Sequence, residues 1–272
     1  MRRGILATCA LIAFSSVSTA WAEDTRTEEA LRPLAVTFAH GFYSRDPDMV
    51  LSVVHPELSK IGVITNAYRS GRDITEELPP GTLAVLGSVY NHDNRLSVEH
   101  STVGVDFFDS NENVGVFQLT ADTDWYDIFL GTHINGEWVL VNCAYGGYSL
   151  IENPNREADM EAVADVVQAY ADGWDNRDYA AIRSTIYANA DRRHVVRGGE
   201  QEYLRQETLE TIRQDVAAGE PAASASSVTV FVATQRTAAA RIDAADRSEW
   251  VLLQRLNDEW KIVNMFWEPN GA

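Results

Sequence analysis

The sequence predicts an α+β fold of two tandem domains, each with three helices packed on one face of an antiparallel sheet. Three observations lead to this prediction. The pattern at positions 38–46 recurs at 170–178, with an aromatic residue, Ala, Gly, a second aromatic residue, Arg and Asp in matching places. The pattern at 134–142 recurs, in the same order, at 256–264. Helical spacing comes first in each copy and strand patterning follows.

The copies divide the chain into residues 27–150 and 153–270, after an N-terminal segment of residues 1–22. In the second copy, Pro154 suits a first helical position and opens a stripe at helical spacing that ends at Trp174. Asp178 is predicted to cap a second helix, and Gly219 to stop a third. The predicted helices carry Met160, Val163, Val167, Tyr170 and Trp174, then Ile182 and Ile186, then Leu204, Thr208, Ile212 and Val216; the predicted strands are 228–232, 238–242, 250–256 and 260–267.

The first copy is predicted to repeat this order. Asp46-Pro47 opens its second helix, and Asn135-Gly136 is a strong two-residue hairpin turn between its last two strands.

The last strand, 260–267, is apolar on both faces. Simple alternation places Trp260, Ile262, Asn264 and Phe266 toward the helices and Lys261, Val263, Met265 and Trp267 on the opposite face. Because helices cover one face only, the other face needs a cover as well. The sequence therefore predicts that the two copies pack sheet to sheet as an intramolecular pseudodimer.

The N-terminal segment is typical of a secretory signal peptide. Arg2 and Arg3 precede an apolar run over 5–14, and small residues end at Ala22, where cleavage is expected. The run is too short to span a bilayer. The sequence thus predicts export to the periplasm or the extracellular space. Cys143 would then be the sole cysteine, since Cys9 leaves with the signal, and no internal disulfide is expected.

Charge excludes two classes of partner. Forty acidic residues oppose 22 basic ones, for a net charge of -18. Nucleic acids and anionic membranes both attract a surplus of Lys and Arg, so neither is expected to bind this chain.

Three segments resemble the nuclear transport factor 2-like superfamily, and more closely its putative lumazine-binding branch, which is SnoaL-like and ketosteroid-isomerase-like. They are Tyr170 to Asp178, Leu204 to Leu209 and Asn257 to Trp267. The resemblance covers nearly all of residues 156–268, and more weakly 27–148. It implies two cones, each with its mouth between the helices and the sheet. The superfamily contains isomerases, dehydratases, cyclases, binding proteins and interaction modules, so the fold implies no single function.

Within cones of this kind, a ligand would meet aromatic side chains and a few polar groups. We expect the ligand-binding residues to be Tyr170, Trp174, Tyr187 and Asn264 in the second copy, and Phe42, His55 and Asn142 in the first. An aromatic ligand should prefer the second cone, which keeps Trp174 and Tyr187. Structural roles are the alternative for two of these residues. Asn264 can form hydrogen bonds to neighbouring backbone, and His55 can be stabilised by the helix dipole at the C-terminus of the predicted second helix.

No catalytic residue is assigned from the sequence. Asp127 and Glu249 occupy matching positions before an apolar strand, and either would become a proton shuttle if it faced a cavity. His92-Asp93 and Glu99-His100 lack metal-ligand spacing, and there is no glycine-rich phosphate loop, so neither a metal nor a cofactor is expected. The sequence favours an exported, non-catalytic protein that binds a small apolar or aromatic molecule. An enzyme of the isomerase, dehydratase or cyclase type and a structural or protein-interaction module are the alternatives.

Overall fold

The computed structural model describes residues 25–65, 73–121, 125–146, 153–222 and 225–270. The signal peptide expected over 1–22, including Cys9, lies outside the described residues. Within them, the chain forms two α+β domains in tandem, and each carries a six-stranded sheet with its helices on one face.

The first domain begins with a long helix and ends with a four-stranded antiparallel meander. Its strand order is β2-β1-β6-β5-β4-β3, in which β1 pairs parallel with β6 and the other neighbours are antiparallel. The elements are α1 (Thr25–Ser44), α2 (Pro47–Leu51), β1 (Val54–Thr65), β2 (Asp73–Glu77), α3 (Pro80–Val89), a 3-10 turn (Val98–His100), β3 (Val103–Ser110), β4 (Val114–Ala121), β5 (Trp125–Ile134) and β6 (Glu137–Tyr145).

The second domain repeats this topology, with strand order β8-β7-β12-β11-β10-β9 and a parallel pair of β7 and β12. Its elements are α4 (Arg156–Asp175), α5 (Tyr179–Thr185), β7 (Ile186–Val196), β8 (Tyr203–Glu207), α6 (Leu209–Ala218), β9 (Ser227–Ala233), β10 (Thr237–Asp243), β11 (Arg247–Leu256) and β12 (Glu259–Pro269).

The predicted α+β class, the tandem repeat and the four-stranded meander are confirmed, but two strands per domain were missed. Ile186 begins β7 rather than continuing a helix, and Leu204 lies in β8 rather than opening the third helix. His55 likewise lies in β1 and does not end a helix. The cause is tertiary: β1 and β7 each pair in parallel with the last strand of their sheet, a contact distant in sequence that overrides local spacing.

Local capping and turn chemistry agrees with the sequence at most positions. Asp46 and Asp178 each accept a hydrogen bond from a backbone N–H in the first turn of the helix that they cap. Asn135 and Gly136 have φ angles of 52° and 85°, as a type I′ hairpin turn requires. Pro154 is the exception, since it lies in the turn that precedes α4.

A β-bulge near the middle of the last strand corrects the predicted faces of that strand. The pairing of β12 with β11 and with β7 shifts register between Ile262 and Asn264, and this extra residue reverses the alternation. Met265 therefore packs in the helix-side core, and Phe266 packs in the cluster between the sheets. Asn264 also turns away from the helices, which contradicts the orientation expected for it.

The two sheets pack face to face, as a pseudodimer requires. A buried cluster between them joins first-domain side chains such as Ile128 and Val141 to second-domain side chains such as Trp250 and Val263. At its edge, Arg241 donates to Asp109 over 2.8 Å. Among the described residues, no helix combines the length and apolarity needed to cross a membrane.

Candidate functional site

A cavity of about 500 Å³ lies between the helices and the sheet of the first domain. This volume is within the range of small-molecule sites, and one of the lining residues, Ile64, is 38% exposed. Its wall combines aromatic, aliphatic and charged side chains. They are Phe38, Phe42, Tyr90, Trp125, Tyr126 and Tyr145; Val63, Ile64, Leu78, Leu83 and Leu86; and Lys60, Glu76, Asp127 and Arg236, with Gly146.

A buried ion pair forms part of this wall. Lys60 on β1 and Asp127 on β5 are 6% and 2% exposed, and Lys60 Nζ lies 2.5 Å from Asp127 Oδ2. The same ammonium group lies 3.3 Å from the Sγ of Cys143 on β6. Two charges in so dry a place persist only when each is paired, so each partner fixes the other in position.

Aromatic rings surround the Lys60 ammonium group. Its Nζ lies 4.9 Å from the ring centroid of Tyr145, 5.4 Å from that of Phe129 and 5.6 Å from that of Phe38. These distances are typical of cation–π contacts, in which the ring faces stabilise a cation that has lost its water.

Burial and pairing act on the acid–base properties of this group of residues. Burial raises the pKa of the Asp127 carboxyl, and the Lys60 ammonium opposes this only in part. Burial alone would lower the pKa of Lys60, but the charge of Asp127 and the Cys143 thiol raise it above its usual value. Burial also raises the pKa of the Cys143 thiol, which therefore stays protonated. The cavity thus contains a protonated amine and a carboxylate with a raised affinity for protons.

A β-bulge also shapes this part of the cavity. The β5–β6 pairing shifts register between Leu130 and Gly131, opposite residues 140–142, as the matching pair β11–β12 does in the second domain. As a result Cys143 and Tyr145 both belong to the helix-side core, where they flank Lys60.

The Tyr145 ring forms one side of the cavity and depends on a glycine. A Cβ atom at Gly62 would lie 2.2 Å from the ring, so only glycine lets Tyr145 lie across β1. The Tyr145 hydroxyl donates to the carboxylate of Glu76 on β2. Burial and the acceptor Glu76 raise the pKa of Tyr145, so the phenol remains a neutral donor.

The second domain contributes to the same cavity. Arg236, in the turn between β9 and β10, belongs to the wall, and its Nη1 lies 3.2 Å from Asp73 Oδ1 of the first domain. The same turn is held by Thr234, whose hydroxyl lies 2.7 Å from the hydroxyl of Tyr126. The site is therefore complete only when the two domains are docked.

The corresponding part of the second domain is filled by its own side chains. Arg192, which matches Lys60, makes two hydrogen bonds to Glu249, of 2.8 and 3.2 Å, and one of 2.6 Å to Glu207. Its guanidinium lies 4.7 Å from the Trp174 ring and 4.8 Å from the Trp267 ring. The guanidinium of Arg192 therefore occupies the space between the two indole rings.

Electrostatics strengthens this closed arrangement. Burial alone would raise the pKa of Glu207, but the His194 imidazole, whose Nδ1 lies 3.1 Å from Glu207 Oε1, and the charge of Arg192 lower it to about 2. The pKa of Glu249 is also lowered, because Arg192 and Arg247 outweigh its burial. Both carboxylates therefore bind a proton less readily than usual, whereas Asp127 binds one more readily.

The residues predicted for the second cone have structural contacts. Tyr170 is fully buried and donates to Glu249 over 2.9 Å, and Trp174 is 6% exposed beneath Arg192. Tyr187 lies 2.6 Å from the Thr75 hydroxyl of the first domain. Asn264 accepts from Ser59 over 2.8 Å and donates to the Cys143 carbonyl over 3.2 Å, so it joins the domains and does not face the cone.

The residues predicted for the first cone are divided. Phe42 lines the cavity. His55 lies outside its wall; its Nδ1 accepts from the backbone N–H of Glu57, and burial lowers its pKa. Asn142 is fully buried on β6, and its side-chain amide has no hydrogen-bond partner among the described residues.

Sequence reasoning missed Lys60, Tyr145 and Trp125, and left Asp127 as one alternative. A signal was present, because Lys60 and Arg192 occupy matching places in the repeat, as Asp127 and Glu249 do. A cation and a carboxylate repeated together in otherwise apolar strands indicate a buried pair. Within the described residues, no three His, Cys, Asp or Glu side chains converge on a possible metal position.

Comparison with known protein families finds a match for the second domain. Residues 158–268 match the family described as "Putative lumazine-binding", which confirms the resemblance for this part of the chain. No curated protein sequence matches the chain.

Among solved structures, an NTF2-like protein of unknown function from Shewanella baltica is 16% identical, with 44% of this chain and all of that chain covered and a TM-score of 0.39. An NTF-2-like protein of unknown function from Silicibacter pomeroyi is 12% identical, with 42% and 98% covered and a TM-score of 0.37. A protein from Streptomyces avermitilis described as a "putative dehydratase" of the NTF2-like family is 17% identical, with 43% and 99% covered and a TM-score of 0.34.

Proposed function

We propose that this protein binds a small, largely apolar aromatic molecule in the first-domain cone. The cavity lies in this domain, whereas the match to the putative lumazine-binding family covers residues 158–268 of the second domain. The observation that carries the proposal is the cavity of about 500 Å³ with six aromatic side chains in its wall. This reverses the preference for the second cone that the sequence suggested, because Arg192 and two indoles occupy that place.

The wall also limits the charge of the ligand. It contains two cationic side chains, Lys60 and Arg236, and two acidic ones, Glu76 and Asp127. Each cation has a carboxylate partner in the structure. A neutral ligand with one or two polar atoms suits such a balanced wall better than a strongly charged one, whose charge would remain unpaired. Flat ring systems would gain additional stabilisation from edge and face contacts with the aromatic side chains.

A matched pair of substitutions on α3 tests the proposal. Leu86 lines the cavity, whereas its neighbour Val85 is 62% exposed on the outer face of the helix. We expect a thermal-shift panel of neutral aromatic heterocycles and steroids to yield ligands that stabilise the protein. Leu86→Trp should abolish this stabilisation by filling the cavity, and Val85→Trp should leave it intact. Equal effects of the two variants, or no stabilising compound in the panel, would count against the cavity as a binding site.

A second candidate function is acid–base catalysis of the isomerase or dehydratase type. It is favoured by Asp127, a buried carboxylate in the cavity wall whose pKa is raised by burial, which is the direction that a carboxyl group acting as a general acid or base requires. Asp127→Asn should then remove turnover of a bound compound while binding persists. A compound that binds and is recovered unchanged with wild-type protein supports the binding function alone.

We also propose that the protein is exported to the periplasm or the extracellular space. The support is the N-terminal sequence, with Arg2 and Arg3, the apolar run over 5–14 and the small residues before Glu23. The mass of the protein recovered from outside the cytoplasm should correspond to a chain beginning at Glu23. A recovered chain that retains Met1 would contradict cleavage.

A further inference from the structure

The distribution of lysine in this chain is unusual. Of the 22 basic residues, only Lys60 and Lys261 are lysines, and the remainder are arginines. Lys261 lies on β12 with its side chain 30% exposed, beside Glu259 and the Ser184 carbonyl. Lys60 is the only lysine in the cavity wall. The chain therefore places one of its two primary side-chain amines inside its candidate binding site.

Charge pairing does not explain why this amine is a lysine. The matching position in the second domain is Arg192, which forms the equivalent ion pair with Glu249. Arginine is the better residue for a fixed, buried pair, because its planar fork bonds both carboxylate oxygens. A primary amine differs from a guanidinium in one chemical property that matters here: once deprotonated, it is a nucleophile toward carbonyl carbon.

We propose that Lys60 captures apolar aromatic aldehydes and ketones, forming an iminium with the Asp127 carboxylate as its counter-ion. The inference rests on the proposed binding function, since the carbonyl compound must first enter the first-domain cavity. It assigns the ligand class of that cavity and a covalent role to one residue of its wall.

The geometry supplies each participant in the reaction. Asp127 Oδ2, 2.5 Å from Lys60 Nζ, takes one proton from the ammonium and leaves a neutral amine. The amine attacks the carbonyl carbon, and after proton transfer to oxygen a carbinolamine results. Loss of water gives the imine, to which Asp127 returns its proton. The sum is one ammonium and one carbonyl compound giving one iminium and one water, with no oxidant or reductant consumed.

The surroundings of Lys60 suit the product as well as the reactant. The rings of Tyr145, Phe129 and Phe38, at 4.9–5.6 Å from Nζ, stabilise an iminium cation as they do the ammonium. An aromatic and aliphatic wall keeps bulk water from the new C=N bond and so slows its hydrolysis. Because Asp127 and Cys143 raise the pKa of Lys60, the amine is protonated at rest, and proton transfer to Asp127 precedes attack.

Reductive trapping tests the proposal directly. The purified protein is incubated with 2-naphthaldehyde and cyanoborohydride, which fixes an iminium as a stable secondary amine, and the adduct is located by peptide mass mapping. We expect labelling at Lys60 to exceed that at Lys261 by about tenfold or more, since binding holds the aldehyde beside the amine. Binding of the non-carbonyl analogue 2-naphthylmethanol is measured in parallel by thermal shift.

Lys60→Arg is the matched variant, because it introduces the residue that the second domain uses at this position. It lacks the primary amine and should lose the adduct at position 60, while the binding of 2-naphthylmethanol by the wild-type protein reports on the cavity independently. Leu86→Trp, with Lys60 intact, should lose both binding and labelling at Lys60, and it keeps the test decisive if Lys60→Arg fails to fold.

The experiment distinguishes a failure of carbonyl capture from a failure of the proposed binding function. If 2-naphthylmethanol binds and the aldehyde labels only Lys261 or the N-terminus, carbonyl capture is wrong and the binding function stands. If neither probe binds and Lys60 is not labelled, the proposed binding function fails for this class of ligand together with the inference.

Discussion

The two cones of this protein have the same topology and a buried cation–carboxylate pair at the same place, but the surroundings of the pair differ. In the first cone the pair lines a cavity of about 500 Å³, whereas in the second Arg192 lies against two indole rings. The first cone has Lys60, Asp127 and Leu78, which lies in the connection between β2 and α3. The second has Arg192, Glu249 and, on β8, Glu207. A larger cation with two carboxylate partners and two indole neighbours fills its own site. A shorter cation with one carboxylate leaves room beside it.

The comparison also extends to the strand entries. Trp125 precedes Asp127 and lines the first cavity, whereas the matching Arg247 lies over the Trp174 ring at 5.1 Å and bonds Glu249. The first cone thus has space beside its ion pair, whereas in the second cone Arg192 and its indole neighbours occupy the corresponding place. The difference arises from side-chain size and charge on an unchanged backbone plan, so function in such a tandem protein must be assigned domain by domain.

Removing the cation of the closed cone should have the largest effect. Arg192→Ala leaves the buried Glu207 and Glu249 carboxylates without their main partner, and should lower the free energy of unfolding by about 3–5 kcal/mol. Urea denaturation followed by tryptophan fluorescence measures this loss. Arg213→Ala, which breaks an exposed pair with Glu210 on α6, is the control and should leave the midpoint unchanged. A similar midpoint for both variants would show that the Arg192 cluster does not stabilise the second domain.

Removing the cation of the open cone should cost less. Lys60→Met leaves a single carboxylate, Asp127, without its cationic partner. Because burial already raises the pKa of Asp127, this carboxylate can accept a proton, and we expect the free energy of unfolding to fall by about 2 kcal/mol. The double variant Lys60→Met/Asp127→Leu should recover most of this stability, because an apolar pair of similar volume replaces a buried ion pair. Greater destabilisation in the double variant than in the single one would refute this account. The same urea measurement applies.

Acid should destabilise the protein through the closed cone. The folded-state pKa of Glu207 is about 2, below the ordinary value of 4.5, so its stabilising contribution is complete above that ordinary value and is lost as the pH falls toward 2. The stability difference between wild type and Glu207→Gln should therefore shrink between about pH 6 and about pH 3. Urea midpoints at several pH values measure the difference. A gap that widens in acid would have the wrong sign for a lowered pKa.

The smallest expected effect concerns the aromatic wall of the open cone. Tyr145→Phe removes the hydrogen bond to Glu76 and should lower the free energy of unfolding by about 1 kcal/mol, since the ring itself remains. Gly62→Ala, which places a Cβ against that ring, is the contrasting variant and should disturb ligand binding more than Tyr145→Phe does. Thermal shift with a bound ligand distinguishes them, and the reverse order would argue against the glycine contact.

Much of this architecture could be predicted from residues close in sequence. The caps at Asp46 and Asp178 and the turn at Asn135-Gly136 depend on side chains next to the backbone that they direct. The errors occurred where partners are distant in sequence. Leu204 has helical spacing with Ile212 but pairs with Val195 in a sheet. Simple strand alternation places Asn264 on the same face as Ile262, but a β-bulge turns Asn264 toward Ser59 of the other domain.

The candidate site was less predictable than the fold. Phe42 was expected and lines the cavity, and Asp127 was considered as a carboxylate facing a cavity. Trp174 was expected to contact a ligand because it is a large aromatic residue in a cone, but no local pattern indicates that Arg192 lies on its ring. Arg236 enters the first cavity from the second domain, a contact that only the docking of the two sheets creates.

By itself the sequence determined the duplication, the α+β class and the need for the two sheets to cover each other, because these follow from periodicity and from the apolar content of single segments. Tertiary structure alone decided which cone is open. Cavity shape depends on how bulges orient residues such as Tyr145 and on how Lys60 and Arg192 pair with carboxylates from other strands. Those contacts join residues distant along the chain, and their energies depend on burial that exists only once both domains have folded and docked.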